Sequence, residues 1–404
     1  MALADIYQKA TLVQIPSGYK AADDKLYSVV PSDGTGDFTV DSDADATRVN
    51  KDGLIESVVA DQARLDYNPS NPQDPTLLLE PERTNNILQS NDPSGANWTD
   101  PLSRWSLLTD TTTAPDGGIV RIIELTESGG SLIRLTGFSI AAGTYTVSFY
   151  MKDIDGNLTG GNVDIGDEGS AAPSPTFNNI GNNFVRASIT ITITGTKTFL
   201  DLQPTFSGST NKVAIWGCQL EAGSYATSLI PTSASAVTRT IDSCNKTTFT
   251  NIPSNYPFTA FWQGKIDDYD ASGFTSQVPF SLAATGTFNC YFAINFKSTS
   301  QLTLRRRNDS DNSQVISFTS NKDTTYKLAV CFISATAAKV YINGTKVLDS
   351  TSLTSVPYIG ADTPDSVFIG QLRDNTDTGK RNSCNQFMLF NEELSESELT
   401  TLTS

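Results

Sequence analysis

The chain has 404 residues, 38% of them hydrophobic and 9% aromatic, which suffices for two or three folded domains with their own cores. Its formal net charge of −16 disfavours a nucleic-acid or anionic-membrane partner, because long-range repulsion would oppose binding. The sequence contains no histidine, which removes the commonest general base and the usual partner of a nucleophilic serine or cysteine. Only carboxylate, tyrosine or lysine chemistry remains.

The N-terminus lacks a basic flank followed by an unbroken apolar run, and no segment approaches the roughly 20 apolar residues that span a bilayer. We therefore expect no secretory signal, no membrane insertion and a soluble protein made in a cytoplasm. The cysteines are odd in number and lack C-x-x-C spacing, which favours free buried thiols over disulfides or a zinc site. They are Cys218, Cys244, Cys290, Cys331 and Cys384.

Residues 1–75 are rich in turn-forming residues, as in DGTGDFTVDSDADATRVNKDG. Such a stretch is too long for a loop and too irregular for a core of its own. We expect this segment to gain its order from a partner or from sister chains, as an anchoring or oligomerisation segment.

Between residues 76 and 244 apolar residues alternate with period two, the pattern of half-buried antiparallel strands. In GTYTVSFYMKD one face carries Tyr145, Val147, Phe149 and Met151. Tyr150 falls on the opposite face, toward water. The repeat continues in ASITITITGTKTF, so this region predicts a β-sandwich.

Residues 245–404 predict a second sandwich with a short terminal helix. Asn343-Gly344 lies between alternating apolar residues and indicates a two-residue hairpin, because both turn positions need positive φ. Ser395 and Glu398 have the spacing of a capping box, and Leu394 and Leu399 that of a hydrophobic staple. The fold class is therefore all-β: two jelly-roll type β-sandwiches in tandem, preceded by an irregular segment.

Between the sandwiches lies WGCQLEAGSYATSLIPTSASAVTRT, where a strand ending near Leu220 gives way to small polar residues. We expect residues 224–242, the seam segment, to lie along the middle sandwich and to lead the chain into the next domain. An ordinary interdomain linker is the alternative.

The chain from Ala46 to Asp242 resembles a family of structural proteins of tailed bacteriophages and prophages. The resemblance rests on the order of ATRVNKDGLIE, ARLDY, LLLEPERTNNILQSND, ANWT, TAPDGG, GTYTVSFYMKD and WGCQLEAGSYATSLIPTSASAVTRTID. It implies a fibre, spike or decoration protein of the virion with carbohydrate-binding-type jelly-roll domains. Leu229 departs from the pattern, which has an aromatic residue there, and this affects packing at the seam.

The C-terminal part resembles laminin-G or concanavalin-like jelly rolls. The motifs that carry this resemblance are FTAFWQGKID, KVYINGTKVL, SVFIGQL, NQFMLFNEEL and ELSESELTTL. They are weaker than the motifs of the middle region.

A glycan site needs an exposed aromatic platform beside amide, carboxylate or arginine groups. The candidates are Tyr150, Trp98, Trp105, Arg305 and Arg307. For the tryptophans the alternative is a role as core plugs. For the two arginines it is a solvated edge strand that discourages sheet-to-sheet pairing.

No pair of carboxylates stands out as a glycosidase pair, so we expect no enzyme and name no catalytic residues. The acidic run of Asp267, Asp268 and Asp270 predicts a solvated loop. We expect no cofactor. Calcium is the alternative in DIDGNLTGGNVD, where oxygen ligands are closely spaced, although a β-hairpin loop is the default there. The candidate ligands are Asp153, Asp155, Asn157 and Asp164.

Together these patterns predict a structural protein of a tailed bacteriophage virion, assembled in the host cytoplasm and exposed on the particle as a head or tail fibre or spike. Its expected partners are capsid or tail proteins, sister chains in a homotrimer and host-surface carbohydrate. The alternatives are a non-catalytic glycan-binding adhesin, a capsid decoration protein and a glycan depolymerase.

Overall fold

The computed structural model describes residues 2–16, 25–68, 71–128, 132–167, 176–180, 182–266, 277–284, 290–308, 310–321, 324–354, 364–372 and 381–404. The first part of the chain forms α1 (Leu3–Tyr7), β1 (Leu12–Gln14), β2 (Lys25–Leu26), β3 (Phe38–Asp41), β4 (Ala46–Val49), β5 (Ile55–Val58), β6 (Leu65–Asn68), β7 (Asn71–Leu79) and β8 (Arg83–Asn85). The middle part forms β9 (Trp98–Thr99), β10 (Trp105–Thr113), β11 (Ile119–Leu125), β12 (Ile133–Leu135), β13 (Gly143–Asp153), β14 (Leu158–Ile165), β15 (Thr176–Ile180), β16 (Phe184–Ile193), β17 (Leu200–Phe206), β18 (Asn211–Ala222) and β19 (Val237–Arg239). The last part forms β20 (Ser243–Lys246), β21 (Phe258–Ile266), β22 (Gln277–Ala283), β23 (Cys290–Ser298), β24 (Gln301–Asn308), β25 (Ser310–Ser317), β26 (Thr324–Ser334), β27 (Ala337–Ile342), β28 (Thr345–Ser350), β29 (Ser366–Ile369), β30 (Asn382–Phe390) and α2 (Glu396–Thr403).

A six-stranded and a four-stranded sheet form the middle sandwich. Their strand orders are β10-β11-β18-β13-β16-β15 and β14-β17-β12-β9. One apolar cluster lies between them and includes Phe149 and Met151 from β13 and Leu200 and Leu202 from β17. The predicted core face of β13 is confirmed, because alternation places every second side chain on one side of the sheet.

Two eight-stranded sheets form the C-terminal sandwich. One has the order β28-β27-β26-β21-β30-β7-β6, with β1 also paired to β30, and the other the order β2-β3-β20-β29-β22-β23-β24-β25. Phenylalanines from both sheets, among them Phe258, Phe280 and Phe292, meet in a single core. The all-β class and the tandem of sandwiches are therefore confirmed.

Four strands of the N-terminal segment, β1, β2, β3 and β6, belong to the C-terminal sandwich, which corrects the expectation that the segment takes its order from a partner or from sister chains. Strand β1 pairs with β30, with Val13 opposite Met388. Strand β3 pairs with β20. The side chains of Leu12, Leu26 and Phe38 are buried in the shared core. The described residues of the segment thus complete sheets whose other strands lie about 200 to 380 positions later in the chain.

The terminal helix caps the outer side of the first of these sheets. Ser395 N donates to Glu398 Oε2 at 2.7 Å and Glu398 N donates to Ser395 Oγ at 3.4 Å, so the predicted capping box is confirmed. The staple residues Leu394 and Leu399 are both fully buried. They pack with Met388 of β30 and with α1 residues in a cluster of their own, which covers this side of the sheet.

The predicted hairpin is confirmed at Asn343 and Gly344, whose φ angles are 46° and 77°. These two residues join β27 to β28, and Ile342 and Thr345 face each other at the ends of the strands. Positive φ at both positions is the geometry of a type I′ turn, and it explains why this dipeptide occurs here.

Tyr150 is only 3% exposed, so the prediction that it faces water was wrong. It packs edge-on against Trp216, with ring centroids 5.5 Å apart. Both belong to a second apolar cluster on the outer side of the six-stranded sheet, together with Ile55 and Leu229. The N-terminal and seam segments therefore cover a face that strand periodicity alone assigns to solvent.

The seam segment runs along the six-stranded sheet as predicted. Thr190 Oγ1 donates to Ser224 O at 3.1 Å, and Arg186 Nη2 donates to Thr227 O at 2.5 Å. Further along, β19 pairs with β8. The segment is thus fixed to the middle sandwich by hydrogen bonds before the chain enters the next sandwich.

A buried ion cluster lies where the three parts of the chain meet. It consists of Arg64, Glu80, Arg239 and Asp242, each at most 8% exposed. Glu80 Oε2 accepts hydrogen bonds from Arg64 Nη1 at 2.8 Å and from Arg239 Nη1 at 2.7 Å. Asp242 accepts from Arg64 Nη2 and, at 2.7 Å, from Glu80 N. The motifs ARLDY, LLLEPERTNNILQSND and the end of the seam thus converge on one site.

Cys218, Cys244, Cys331 and Cys384 are free and buried, as expected; the side chain of Cys290 lies outside the described residues. Burial raises the pKa of the Cys384 thiol to about 12. In the part of the chain that the structure describes, no helix is long and apolar enough to cross a membrane.

Candidate functional site

The four-stranded sheet of the middle sandwich turns apolar side chains to the core and polar ones outward. The inward residues are Ile133, Leu135, Val163, Ile165, Leu200 and Leu202. Alternation along each strand then places the following residues on the outer side: Thr99, Arg134, Asn162, Asp164, Asp201, Gln203 and Thr205. We call these seven residues the polar face.

An arginine and an aspartate form the centre of the polar face. Arg134 and Asp201 are opposite each other on β12 and β17. Arg134 Nε donates to Asp201 Oδ1 and Arg134 Nη2 donates to Asp201 Oδ2, both at 2.7 Å. The Arg134 guanidinium also lies over the ring of Phe199, 3.7 Å from its centroid. The side chain of Arg134 is 25% exposed and that of Asp201 is 2% exposed, so the arginine shields the aspartate from solvent.

Further carboxylates surround this pair. Asp164 is opposite Asp201 on β14, and like charges at such positions repel unless a cation lies between or beside them. The hydrogen bond to Asp201 raises the pKa of Arg134, and the charges of Asp201, Asp167 and Asp164 raise it further. Nearby, Lys197 Nζ donates to the carbonyl oxygen of Gly166 at 3.0 Å. Among the described residues around this pair, carboxylates thus outnumber cations.

Two amide side chains lie next to each other on the same face. Asn162 and Gln203 are opposite each other on β14 and β17, with Asn162 exposed and Gln203 half-buried. Each amide offers two N–H donors and one carbonyl acceptor. The pair therefore presents donors and acceptors side by side, the combination that a ligand rich in hydroxyl groups requires.

A small cleft of about 20 Å³ lies beside the amide pair, room for about one water-sized group. Apolar side chains form its inner wall, and they are Phe149, Met151, Leu202, Pro204 and Ile215. Gly161 lies at its rim, where a Cβ atom would be 2.9 Å from the carbonyl oxygen of Gln203. Glycine at this position permits the close approach of β14 to β17.

The two predicted tryptophans belong to the core side of the sandwich. Trp98 is buried and its Nε1 donates to Gln89 O at 3.0 Å. Trp105 is half-buried, packs against the core, and its Nε1 donates to Leu132 O at 3.1 Å. Their rings fill the interior and their polar atoms are satisfied by backbone, so the alternative role as core plugs fits them.

Arg305 and Arg307 both lie on β24. Arg305 is 6% exposed, and β24 lies between β23 and β25. Both the exposed glycan contact and the solvated edge strand are therefore wrong for Arg305, because neighbouring strands and burial remove it from solvent. The side chain of Arg307 lies outside the described residues, as do Asp267, Asp268 and Asp270.

The four candidate calcium ligands do not converge. Asp153 and Asp155 lie at the β13–β14 turn. Asp153 accepts a hydrogen bond from the backbone N–H of Gly156, and Asp155 accepts one from the backbone N–H of Lys212. Asp164 lies about 20 Å further along β14, at 3.3 Å per residue. Among the residues that the structure describes, no group of three or more His, Cys, Asp or Glu side chains could hold a metal ion. Asn157 lies at the turn, away from Asp164.

None of the predicted glycan residues lies on the polar face. The sequence pattern that could have indicated the polar face is a charged residue between two apolar ones. It occurs in Ile133-Arg134-Leu135 and in Leu200-Asp201-Leu202. Alternation predicts that such residues point away from the core. Their pairing across two strands depends on the register of the sheet, which the sequence does not specify.

Comparison with protein-family models and with curated proteins gives no match. Among solved structures, the Ruminococcus gnavus IT-sialidase CBM40 bound to alpha2,3 sialyllactose matches 37% of this chain and 84% of its own, with 16% identity and a TM-score of 0.31. Domain 4 of AbnA, a GH43 extracellular arabinanase from Geobacillus stearothermophilus, in complex with arabinotriose, matches 41% of this chain and 73% of its own, with 14% identity and a TM-score of 0.32. A mutant Trypanosoma rangeli sialidase displaying trans-sialidase activity matches 40% of this chain and 26% of its own, with 16% identity and a TM-score of 0.32. Similarities at this level carry no argument about function.

Proposed function

We propose that this chain is a non-catalytic carbohydrate-binding structural protein, and that the polar face of the middle sandwich contacts the sugar. The observation that carries the proposal is two neighbouring rows of side chains in register: the Asn162–Gln203 amide pair across β14 and β17, and Asp164, Asp201 and Arg134 across β14, β17 and β12. Amide, carboxylate and guanidinium groups together match sugar hydroxyls, which donate and accept hydrogen bonds at once.

The sheet holds the side chains of the polar face on a rigid backbone, which a ligand that binds weakly requires. Arg134, Asp164 and Asp201 are each flanked in sequence by two core residues, so their backbone positions are fixed by packing. Phe199 adds an aromatic ring beside Arg134. Pre-ordered polar groups beside an aromatic ring are typical of sites that hold a small ligand in one orientation.

The same geometry favours binding over hydrolysis. Asp164 and Asp201 are neighbours across strands, and a retaining glycosidase also needs two carboxyl groups roughly 5 Å apart. Both oxygens of Asp201, however, accept hydrogen bonds from Arg134. The side chain of Asp201 is also only 2% exposed and is shielded by Arg134, so it cannot reach the anomeric carbon of a sugar on this face. A depolymerase is tested by measuring reducing ends released from host polysaccharide, and we expect none.

For the biological setting we propose a tailed-phage virion, in which the chain is a head or tail fibre, spike or decoration protein exposed on the particle. The resemblance of the motifs between Ala46 and Asp242 supports this setting. Three of those motifs contribute the residues of the buried ion cluster, so their occurrence together in one sequence has a structural explanation. Capsid or tail proteins are the proposed partners. A homotrimer is the proposed assembly, since closed cyclic symmetry is usual for such oligomers. Light scattering and immunogold microscopy of particles test both.

The sugar-binding proposal is tested by two glutamine substitutions. Gln203→Ala removes one amide of the polar face, and Gln314→Ala removes an exposed amide on β25 of the other sandwich. Binding to an oligosaccharide array and to purified host envelope polysaccharide is measured for both variants. We expect Gln203→Ala to weaken binding about tenfold, the value of one hydrogen bond to a neutral ligand, and Gln314→Ala to leave it unchanged. Equal behaviour of the two variants would contradict the proposed face.

A further inference from the structure

The arginine at the centre of the polar face is already occupied. Its Nε and Nη2 groups donate to the two oxygens of Asp201, and its flat surface lies on the ring of Phe199. A bidentate pair of this kind is the geometry in which a guanidinium recognises a carboxylate ligand. Asp201 thus takes the place that the carboxylate, sulfate or phosphate group of an acidic sugar would take.

The charges around this pair reinforce the effect. Asp164 and Asp167 both act on the Arg134 charge, and Asp164 is opposite Asp201 in the sheet. The amine of Lys197, the other cation nearby, is engaged by the carbonyl of Gly166. An acidic sugar that approached would meet the carboxylates of Asp164 and Asp167 on a chain whose formal net charge is already −16.

We propose that the polar face selects neutral, hydroxyl-rich oligosaccharides and rejects acidic ones, and that Asp201 is the residue that determines this specificity by neutralising Arg134. This inference rests on the proposed function, since it names the class of sugar for the same face. The amide pair of Asn162 and Gln203 supplies hydrogen bonds that need no charge on the ligand.

The experiment uses the full chain and an array of oligosaccharides in matched pairs, each neutral sugar beside its sialylated, uronic-acid or sulfated counterpart. The expected result is binding to neutral members, with their acidic counterparts at least about tenfold weaker, because like charges brought together at an interface repel. Preferential binding to acidic members, lost in Arg134→Ala, would overturn the inference and leave carbohydrate binding intact. Absence of binding to every member would overturn the proposed function itself.

The second test neutralises Asp201 and measures the preference between neutral and acidic oligosaccharides. Asp201→Asn removes the carboxylate that binds two nitrogens of Arg134, so we expect the preference for neutral over acidic members to fall by about tenfold or more. Asp110→Asn, an exposed carboxylate on β10, makes the same change in net charge away from the face and should not alter the preference. Because Asp201 is buried, thermal unfolding is recorded for each variant, and Asp164→Asn serves as a second variant that should shift the preference in the same direction. An unchanged preference in both Asp201→Asn and Asp164→Asn would overturn the assignment.

Discussion

Arg64 Nη1 and Glu80 Oε2 form an ion pair 2.8 Å long in the interior of the protein, and both side chains are at most 2% exposed. Arg64 follows the irregular N-terminal stretch, whereas Glu80 lies between a strand of the C-terminal sandwich and a strand beside the seam. Burial alone would raise the pKa of Glu80, but the charges of Arg239, Arg64 and Arg381 outweigh it and hold that pKa far below the usual range. With Arg239 and Asp242, the pair therefore fixes three parts of the chain in one arrangement.

Removal of one partner from this pair should destabilise the fold strongly. Arg64→Met leaves the charge of Glu80 with fewer cations in a site without water access, and such a change typically costs about 3–5 kcal/mol. The control is Lys51→Met, which breaks the exposed ion pair with Asp52 and should cost less than about 1 kcal/mol. Urea unfolding followed by tryptophan fluorescence measures both. Equal unfolding midpoints for the two variants would contradict the structural role of the cluster.

Leu229 should be a packing residue of the seam, although the family pattern has an aromatic residue there. It is 2% exposed and shares a cluster with Tyr150 and Trp216. Leu229→Ala leaves a cavity, and we expect a loss of about 2–5 kcal/mol in the free energy of unfolding. Leu102→Ala, at a leucine that is 45% exposed, is the control and should change little. A loss at Leu229 no larger than that at Leu102 would mean that the seam does not pack as described.

The terminal helix should give stability a distinct acid dependence. Hydrogen bonds from Lys9 and from Ser395 lower the pKa of Glu398 to about 2, from a usual value of about 4.3. A depressed carboxyl pKa stabilises the folded state fully above the usual value, and this contribution is lost as the pH falls from about 4.3 toward 2. Glu398→Gln removes the charge at the helix N-terminus and the ion pair with Lys9, while glutamine can still accept in the capping box, so the wild type should exceed it in stability at pH 7 by about 0.5–2 kcal/mol.

Unfolding of the wild type and of Glu398→Gln is measured at pH 7, 4 and 2.5. The difference between them should shrink across the acid range. Other buried carboxyls, such as Glu221, whose pKa is raised by burial, titrate in both proteins and cancel in the difference. A constant difference from pH 7 to pH 2.5 would contradict the ionic role of Glu398.

Deletion of residues 1–75 should unfold the C-terminal sandwich. The deletion removes β1 and β3, and with them buried core residues such as Leu12 and Phe38. A loss of several strands leaves apolar surface and unpaired strand edges exposed. We expect the shortened chain to aggregate or to be cut rapidly by protease under conditions in which the full chain resists. A stable, soluble shortened chain would show that the segment is an independent attachment element.

Local features could be predicted from the sequence because their causes are local. The hairpin at Asn343, the cap at Ser395 and the core face of β13 depend on residues within one or two turns or one strand. The burial of Tyr150 depends on segments that arrive from residues near Ile55 and Leu229, so alternation along β13 could not indicate it.

The site shows the same division. That Arg134 and Asp201 leave the core follows from their apolar neighbours in the sequence. Their pairing, and the shared row with Asp164, depends on the register between strands that are up to 67 positions apart in the chain. Long-range register is set by the whole core and by turn geometry, not by the residues of the site. The N-terminal strands were missed for the same reason.

The most direct test of the account is a crystal structure of the full chain with an oligosaccharide selected from the array. If the sugar binds at the polar face, its hydroxyls should lie within about 3 Å of the Asn162 and Gln203 amides, and Arg134 should still be paired to Asp201. An oligosaccharide bound elsewhere, with the polar face in contact with solvent alone, would contradict the central claim.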